Sequence, residues 1–245
     1  MNAPKPHLLG LVAGLFLAAG LVLSAMLVTR AWLKITQSQT ISVTGSAKRA
    51  VESDLILWRG AYAVESPTLA EAHRELSAAQ QRVSNFLGAR GITNATFSAL
   101  DICELKAARK RDDGFTDQIL SGYRLTQTVS VSSGDLNGVL AMDRETSALI
   151  EQGVVFTPQA PEFIYTAAAE AKLEMLAEAT RDARQRAVRI AEQGGAAVAQ
   201  LRSARMGVFQ ITPEHSAETS WEGVFDTSTR KKTITAVVTA TFALK

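Results

Sequence analysis

The sequence is poor in the residues on which most catalytic and metal-binding chemistry depends. Of its 245 residues, one is a cysteine, Cys103, and three are histidines. A single cysteine excludes a disulfide framework within the chain and a zinc site built from several thiolates. His7, His73 and His215 are far apart in sequence, and none has a second ligand at metal-binding spacing. We therefore expect neither a metal site nor a cofactor.

Motifs of catalysis and of nucleotide binding are also missing. The sequence contains no G-x-S-x-G elbow, no G-x-x-x-x-G-K-[ST] loop and no G-x-G-x-x-G turn. Two carboxylate pairs remain, Asp101 with Glu104 and Asp112 with Asp113, but such pairs are common on strand edges and loop tips. Cys103 is either a redox-sensing thiol or a small side chain that packs on a sheet face. Because no base or second cysteine accompanies Cys103, packing is favoured. From the absence of these catalytic motifs we predict that the protein is not an enzyme.

The charge balance gives no support for nucleic-acid binding. The chain has 26 basic and 24 acidic side chains, and three of the basic ones, Lys5, Arg30 and Lys34, flank an apolar N-terminal run. The remainder is almost neutral, so no broad positive field is expected. Two basic clusters, 106–111 and 230–232, have acidic neighbours. They are interpreted as solvated loop tips, as salt-bridge partners of another subunit, or as contacts to anionic lipid head groups.

The apolar run from Leu8 to Val28 contains 21 residues and no charged side chain. As a helix it would cross a hydrocarbon core about 30 Å thick. The apolar region of a cleaved signal peptide is usually shorter, about 7–15 residues, and a soluble core helix usually keeps a polar face. We therefore predict a signal anchor in residues 1–35 that contacts the lipid bilayer. Residues 36–245 are predicted to form a periplasmic domain at the bacterial inner membrane.

The pattern of apolar residues predicts an α+β fold with antiparallel hairpins and long helices. Strict alternation marks the two clearest strands, and longer amphipathic stretches mark the helices. A helix followed by a long hairpin occurs at 68–131 and again at 163–244, which is a weak internal repeat. The sequence does not decide whether the two halves form one sheet or two. The predicted strands are Thr40–Gly45, Asp54–Val64, Ala95–Leu105, Tyr123–Val131, Arg205–Thr212 and Thr233–Leu244, and the predicted helices are Thr68–Ala89, Asp135–Leu149 and Glu162–Gln193.

Local signals define the ends of these elements. A polar turn at Ser46–Arg49 is predicted to join the first two strands, and Asp135 is placed as a helix N-cap. Gly194-Gly195 is predicted to end the longest helix, whose apolar stripe includes Leu173 and Ile190.

Two exposed aromatic residues are the candidates for contacts between subunits. Trp221 and Phe225 lie in the long loop 213–230, among polar residues. An apolar pair in a loop either folds back on its own domain or is buried in a neighbouring subunit. We therefore name both as candidate oligomer contacts.

Three stretches of the chain resemble the SIMPL-domain family of bacterial envelope proteins. They are Ile41–Gly45, which opens the domain; Gly122–Arg124, which leads into an alternating strand; and Pro161–Tyr165, which precedes a helix ending in Ile190–Gly194. The resemblance covers about residues 38–245. One departure is Gly45-Ser46-Ala47, where the family usually has Gly-Glu-Gly.

The resemblance implies an α+β domain with no catalytic residues to carry over. In some relatives it also implies assembly into large ring-like homo-oligomers, and one relative is linked to oxidative stress. The expected function is therefore that of a non-enzymatic, membrane-anchored envelope protein. Its domain is expected to self-assemble, with a scaffold or stress-related role. The alternative is a periplasmic binding module for a peptide, a lipid or a small molecule.

Overall fold

The chain folds into helices and antiparallel sheets, as predicted. A computed structural model describes residues 8–36, 39–110, 115–216 and 220–245. Two separate sheets are present, one of four strands and one of six. The elements are α1 (Leu8–Thr36), β1 (Thr40–Glu52), β2 (Leu55–Ser66), α2 (Leu69–Gly88), β3 (Thr96–Phe97), β4 (Asp101–Lys110), β5 (Thr116–Ser133), α3 (Leu136–Arg144), α4 (Ser147–Glu151), β6 (Val155–Pro158), β7 (Glu162–Ile164), α5 (Ala168–Gln193), β8 (Val198–Met206), β9 (Gln210–Pro213) and β10 (Lys231–Leu244).

Helix α1 contains the predicted apolar run. Its segment Gly10–Trp32 is long and apolar enough to cross a membrane, and it is exposed over its whole length. A helix of the protein core would be buried, so that interpretation is excluded for this segment. An N-terminal signal sequence can also be long and apolar enough to meet this description.

The chain divides into two compact units, and α1 belongs to the first of them. Unit 1 comprises Met1–Ala47, Leu176–Gly207 and Val237–Lys245, and unit 2 comprises Lys48–Met175 and Val208–Ala236. Each unit is therefore built from segments that are distant in sequence. Strand β10 and helix α5 each contribute residues to both units.

Unit 2 is built on the six-stranded sheet. Its strand order is β3-β5-β2-β6, with β4 paired to β5 and β7 paired to β2. Helix α2 begins where it was predicted, with the Thr68 hydroxyl accepting a hydrogen bond from the Glu71 amide. Asp135 is the predicted N-cap, accepting from the Gly138 amide at 2.9 Å, but the predicted helix beyond it is divided into α3 and α4.

The core of unit 2 contains a stack of aromatic rings. The Phe156 ring lies between those of Trp58 and Tyr62, with ring centres 5.9 and 6.5 Å away. Glycine at residue 60 leaves room for this ring, because a Cβ atom there would lie 2.1 Å from the Phe156 ring and the ring would have to shift. The Trp58 indole donates to Asp143 Oδ1 at 2.6 Å, which gives its polar atom a partner.

Unit 1 is built on the sheet β1-β10-β8 and on α5. Ala183 and Ala187 of the helix pack with Val43, Ala240 and Phe242 of the sheet. A Cβ atom on Gly45 would lie 2.2 Å from the Ala179 carbonyl oxygen, so strand and helix meet there backbone to backbone. The predicted turn at Ser46–Arg49 is wrong, because β1 continues without a break to Glu52.

The longest predicted helix begins later than expected and buries a different face. Residues Glu162–Ile164 pair with β2 as strand β7, and α5 begins only at Ala168. The predicted stripe is wrong in part, because Leu173 is 71% exposed and Ile190 is 56% exposed. The buried face consists of small residues and one methionine: Ala171, Met175, Ala179, Ala183, Ala187 and Ala191. The predicted stop is confirmed at Gly195, whose φ is +71°.

Two predicted strands are displaced or divided. The stretch Ala95–Leu105 contains β3 and the first half of β4, with residues 98–100 between them. The stretch Arg205–Thr212 spans the end of β8 and the start of β9.

Candidate functional site

A long hairpin extends beyond the six-stranded sheet of unit 2. Strand β2 ends at Ser66, which pairs with Tyr123 of β5. Strands β4 and β5 continue to pair with each other past this point, as far as Lys110 and Thr116. We call residues 105–110 and 115–122 the hairpin arm. At about 3.3 Å per residue the arm is roughly 20 Å long.

A β-bulge lies at the base of the arm. Leu105 pairs with Gly122 and Lys106 pairs with Leu120, so Ser121 is an extra residue on β5. The Ser121 hydroxyl donates to the Leu105 carbonyl at 3.0 Å. A bulge increases the local twist of a strand pair, and this one lies where the arm begins.

The arm exposes apolar and basic side chains together. Leu120 is 50% exposed, and Phe115 and Ile119 are exposed as well. The basic side chains of Lys106, Arg109 and Lys110 lie on β4, while Arg111 is outside the described residues. Small monomeric proteins rarely expose an apolar strand pair of this kind, so the arm is a candidate interaction surface.

An apolar groove lies beside the base of the hairpin. Its volume is about 770 Å³, and its lining consists of the first turns of α2 and the side chains that face them. Leu100 and Ile102 are exposed within it, whereas Leu125 forms the buried floor. The lining residues are Leu69, Ala70, His73, Arg74, Leu100, Ile102 and Leu125. His73 and Arg74 are the polar members of this lining, so the groove suits an apolar ligand with an anionic or hydrogen-bonding end.

The two aromatic residues predicted as oligomer contacts are exposed. Trp221 is 84% exposed and Phe225 is 60% exposed, so neither side chain folds back into the core of unit 2. The backbone around Phe225 is held in place, because the Ile211 amide donates to Val224 and the Asp226 amide donates to Ile211. The interpretation that remains for this pair is a contact outside the protomer, which stays a prediction.

A buried ion pair fixes the end of the same loop. The side chains of Lys232 and Asp226 are only 1% and 8% exposed, with Nζ and Oδ2 3.0 Å apart. Burial raises the pKa of Asp226, but hydrogen bonds from Ser228, Thr229 and Lys232 outweigh it and hold this pKa well below its usual range. The interpretation of 230–232 as a solvated tip is therefore wrong at Lys232. Arg230 also has an internal partner, Glu52, at 2.6 Å.

The carboxylates considered for acid–base catalysis do not converge. Asp101 and Glu104 are both exposed, and their spacing of three puts them on opposite faces of β4. Asp112 and Asp113 lie outside the described residues. Cys103 is exposed on the same hairpin, so it does not pack in a sheet face as favoured above. Within the described ranges, no three His, Cys, Asp or Glu side chains form a group suited to a metal ion.

One buried polar group in unit 2 has a strongly shifted pKa. Burial raises the pKa of Tyr62 to about 12. Its hydroxyl donates to Gln127 Oε1 at 2.5 Å, and the Gln127 amide donates to the Ser98 carbonyl at 2.8 Å. The three groups satisfy one another inside the core, so this tyrosine has a structural role.

Sequence reasoning missed the arm and the groove, although one signal was present. The predicted strand of Ala95–Leu105 stopped five residues before the end of β4, because the basic residues 106–110 were read as a loop. The signal is the tripeptide Leu105-Lys106-Ala107, which continues the apolar–polar alternation of the predicted strand. Beyond it the strand is exposed on both faces, so the sequence has no further alternation from which the end of the strand could be predicted.

The chain was compared with known proteins. A family model described as "Protein of unknown function (DUF541)", the SIMPL family, matches residues 41–242. No curated protein matches the chain. A solved structure, an amidase of the hydantoinase/carbamoylase family from Burkholderia phymatum, is 12% identical, with a TM-score of 0.26. The match covers 55% of this chain and 34% of the amidase, and similarity at this level carries no argument about activity.

Proposed function

This chain belongs to the SIMPL family, and on that premise we propose that it is a membrane-anchored envelope protein that assembles with copies of itself. In this proposal α1 is an uncleaved single-pass anchor in the inner membrane. The folded part lies in the periplasm and has a scaffold or stress-related role without catalysis.

The observation that carries the proposal is the exposed hairpin arm. An arm about 20 Å long with apolar side chains on its surface is costly to leave in water. Ile119 and Leu120 are consecutive in β5 and lie on opposite faces. Packing of either face against another copy would bury part of the exposed apolar surface, and strand pairing along the edges of the arm would bury more. The exposed Trp221 and Phe225 supply a second apolar contact on the same unit.

The absence of catalysis is part of the same proposal. Asp101 and Glu104 are on opposite faces of one exposed strand, and the buried Asp226 is neutralised by Lys232. Such groups support folding and solubility, whereas a catalytic site needs reactive groups that converge on one point.

The mass of the full chain in detergent tests self-assembly directly. We expect a mass that is a multiple of 26.3 kDa after subtraction of bound detergent. A shortened chain that begins at Thr36 should assemble equally if the folded part drives association. If both the full chain and the shortened chain are monomers, the proposal is refuted. If only the shortened chain is a monomer, assembly depends on α1.

Two pairs of substitutions locate the contact. Trp221→Ser with Phe225→Ser, and separately Ile119→Ser with Leu120→Ser, should lower the mass without changing the unfolding temperature, because all four side chains are exposed. The matched control is Ile150→Ser with Val155→Ser, which are 60% and 69% exposed in the same unit. An equal loss of mass in the control would mean that assembly does not depend on these surfaces.

The apolar groove favours a second candidate function, a binding module within one protomer. A groove of about 770 Å³ is within the size range of small-molecule sites. A fluorescent fatty-acid probe should bind the full chain in detergent-free nanodiscs, and Ile102→Glu should abolish binding without lowering the oligomer mass. Equal binding by the variant would exclude this groove as the site.

A further inference from the structure

The two units differ sharply in charge. The folded segments of unit 1 contain six Arg and one Lys against three acidic side chains, whereas unit 2 contains more acidic than basic side chains. The basic residues of these folded segments are Arg181, Arg184, Arg186, Arg189, Arg202, Arg205 and Lys245. The whole chain is therefore near neutral because the positive charge of unit 1 is balanced by the negative charge of unit 2.

Four of these arginines and the lysine form one continuous surface. Arg181, Arg184 and Arg189 line a groove of about 490 Å³ along the exposed side of α5. Arg184 also lines an adjacent groove of about 510 Å³, together with Arg202 and Lys245. We call these five residues the basic face. Glu192 is the one acidic side chain in the two linings.

Among the residues that the structure describes, no salt bridge engages the cations of the basic face. Asp182, which follows Arg181 on α5, is already engaged by Arg186 at 2.9 Å and by the Ser46 amide at 2.8 Å. These two hydrogen bonds, led by that of Ser46, lower the pKa of Asp182, so it remains ionised and committed to Arg186. In the part of the chain that is described, none of the five cations of the basic face has a salt-bridge partner.

Lys245 of the basic face lies at the end of the sheet that follows the membrane anchor in the chain. Strand β1 begins four residues after α1 ends, so its first residue lies within about 14 Å of the helix end. The Gln39 carbonyl accepts a hydrogen bond from the Leu244 amide at 2.8 Å, which places Lys245 beside the start of β1. Lys245 in turn exchanges two backbone hydrogen bonds with Ala197, just before β8.

We propose that the basic face binds anionic phospholipid head groups and docks unit 1 on the membrane surface. The inference rests on the proposed role of α1 as an anchor. An arginine fork matches the two oxygens of a phosphate, and a juxtamembrane basic surface is attracted to anionic lipid within a Debye length. The short connection to α1 holds the start of β1, and Lys245 beside it, near the end of the anchor.

The test uses the full chain in nanodiscs and measures proximity to the lipid surface. A fluorophore is attached at Gln185→Cys, within the basic face, in a Cys103→Ala background. Nitroxide-labelled head groups then quench the fluorophore when the surface is docked. Quenching should be strong with phosphatidylglycerol and weak with phosphatidylcholine alone. It should fall as salt rises from about 0.1 M to about 1 M, where the Debye length falls from about 10 Å to about 3 Å.

Two double variants that remove the same net charge distinguish binding by the basic face from a general effect of positive charge. Arg184→Gln with Arg202→Gln should weaken docking about 30-fold, because each basic side chain near an anionic surface contributes roughly fivefold. Arg186→Gln with Arg205→Gln removes the same charge from the same helix and strand but leaves the basic face intact. Equal losses in the two variants would overturn the assignment of the face.

The remaining outcomes distinguish the inference from the proposed function. A chain that does not enter nanodiscs would refute the anchor, and the inference with it. If the chain enters nanodiscs but its quenching does not depend on phosphatidylglycerol or on salt, the inference is refuted and the anchor is not. If Arg184→Gln with Arg202→Gln instead lowers the oligomer mass in detergent, the basic face binds the acidic unit of another copy, and the lipid proposal is overturned.

Discussion

At the residue scale, glycines decide how closely backbone segments approach in both units. Gly60 leaves room for the Phe156 ring, and Gly45 lets α5 contact β1 directly. The two positions differ in what surrounds them. A side chain such as Phe156 can move when it is crowded, whereas the Ala179 carbonyl and the Ala183 amide are held in a helix.

We expect Gly45→Ala to destabilise unit 1 by at least about 2 kcal/mol, because its Cβ atom would collide with the helix backbone. Gly88→Ala is the control, since a Cβ atom there meets nothing within 4 Å. Urea unfolding of both variants checks the prediction. Equal midpoints for the two would show that α5 can shift away from β1 at little cost.

The ion pair of Asp226 and Lys232 gives unit 2 a defined acid sensitivity. The folded-state pKa of Asp226 is lowered, so its contribution to stability is fully present above the unfolded pKa of about 3.9 and is lost as the pH falls through the folded pKa. Asp226→Asn leaves Lys232 buried without a counter-charge and should cost about 3–5 kcal/mol at pH 7.

This prediction is checked by the free energy of unfolding at pH 7 and at pH 3. The variant should lose less stability than the wild type on acidification, because one of the titrating groups is absent. Glu162→Gln breaks the exposed pair with Arg59 and should cost less than about 1 kcal/mol. A similar cost for both substitutions would mean that burial of the first pair has no energetic consequence.

At the scale of elements, the faces of α5 show where sequence reasoning succeeds and fails. Its end at Gly194-Gly195 was predictable, because a positive φ after a helix strongly favours glycine. Its buried face was not, because Ala179, Ala183 and Ala187 carry little hydrophobic signal. They are small because Gly45 brings β1 so close to the helix, a tertiary cause that no local pattern expresses.

Substitutions on the two faces of α5 should therefore change stability in a way that hydrophobicity alone does not predict: a larger apolar side chain on the buried face should destabilise, and loss of one on the exposed face should have little effect. Ala187→Leu adds apolar atoms to a fully buried site and should destabilise by about 1–3 kcal/mol. Leu173→Ala removes a side chain that is 71% exposed and should stay within about 0.5 kcal/mol of wild type. Thermal unfolding ranks the two variants, and the reverse order would contradict the observed face.

The α+β class and most elements followed from periodicity, but the candidate surfaces did not. The hairpin arm and the apolar groove are exposed, so their residues show no burial pattern in sequence. Trp221 and Phe225 were identifiable only because large aromatic residues in a polar loop are unusual.

At the scale of the whole molecule, the fate of α1 decides where the protein resides. If it is an uncleaved anchor, the chain extracted from membranes has an intact mass of 26.3 kDa and remains in the membrane after carbonate washing. Leu17→Arg with Leu21→Arg should release it, because arginine at the centre of a span costs about 2.5–3.5 kcal/mol. The control is Leu17→Ile with Leu21→Ile. A mature chain that lacks the apolar run would identify a cleaved signal instead.

The place of β10 in the sheet has a consequence for how the protein is made. Strand β1 is synthesised soon after α1, whereas its neighbour β10 lies near residue 240, almost two hundred residues later. Closing a loop of that length is slow, and unit 1 cannot form its sheet before β10 has left the ribosome. Biogenesis therefore includes an interval in which β1 has been synthesised but lacks its partner strand. Translation arrested before Lys231 should leave a chain in which unit 1 is sensitive to protease.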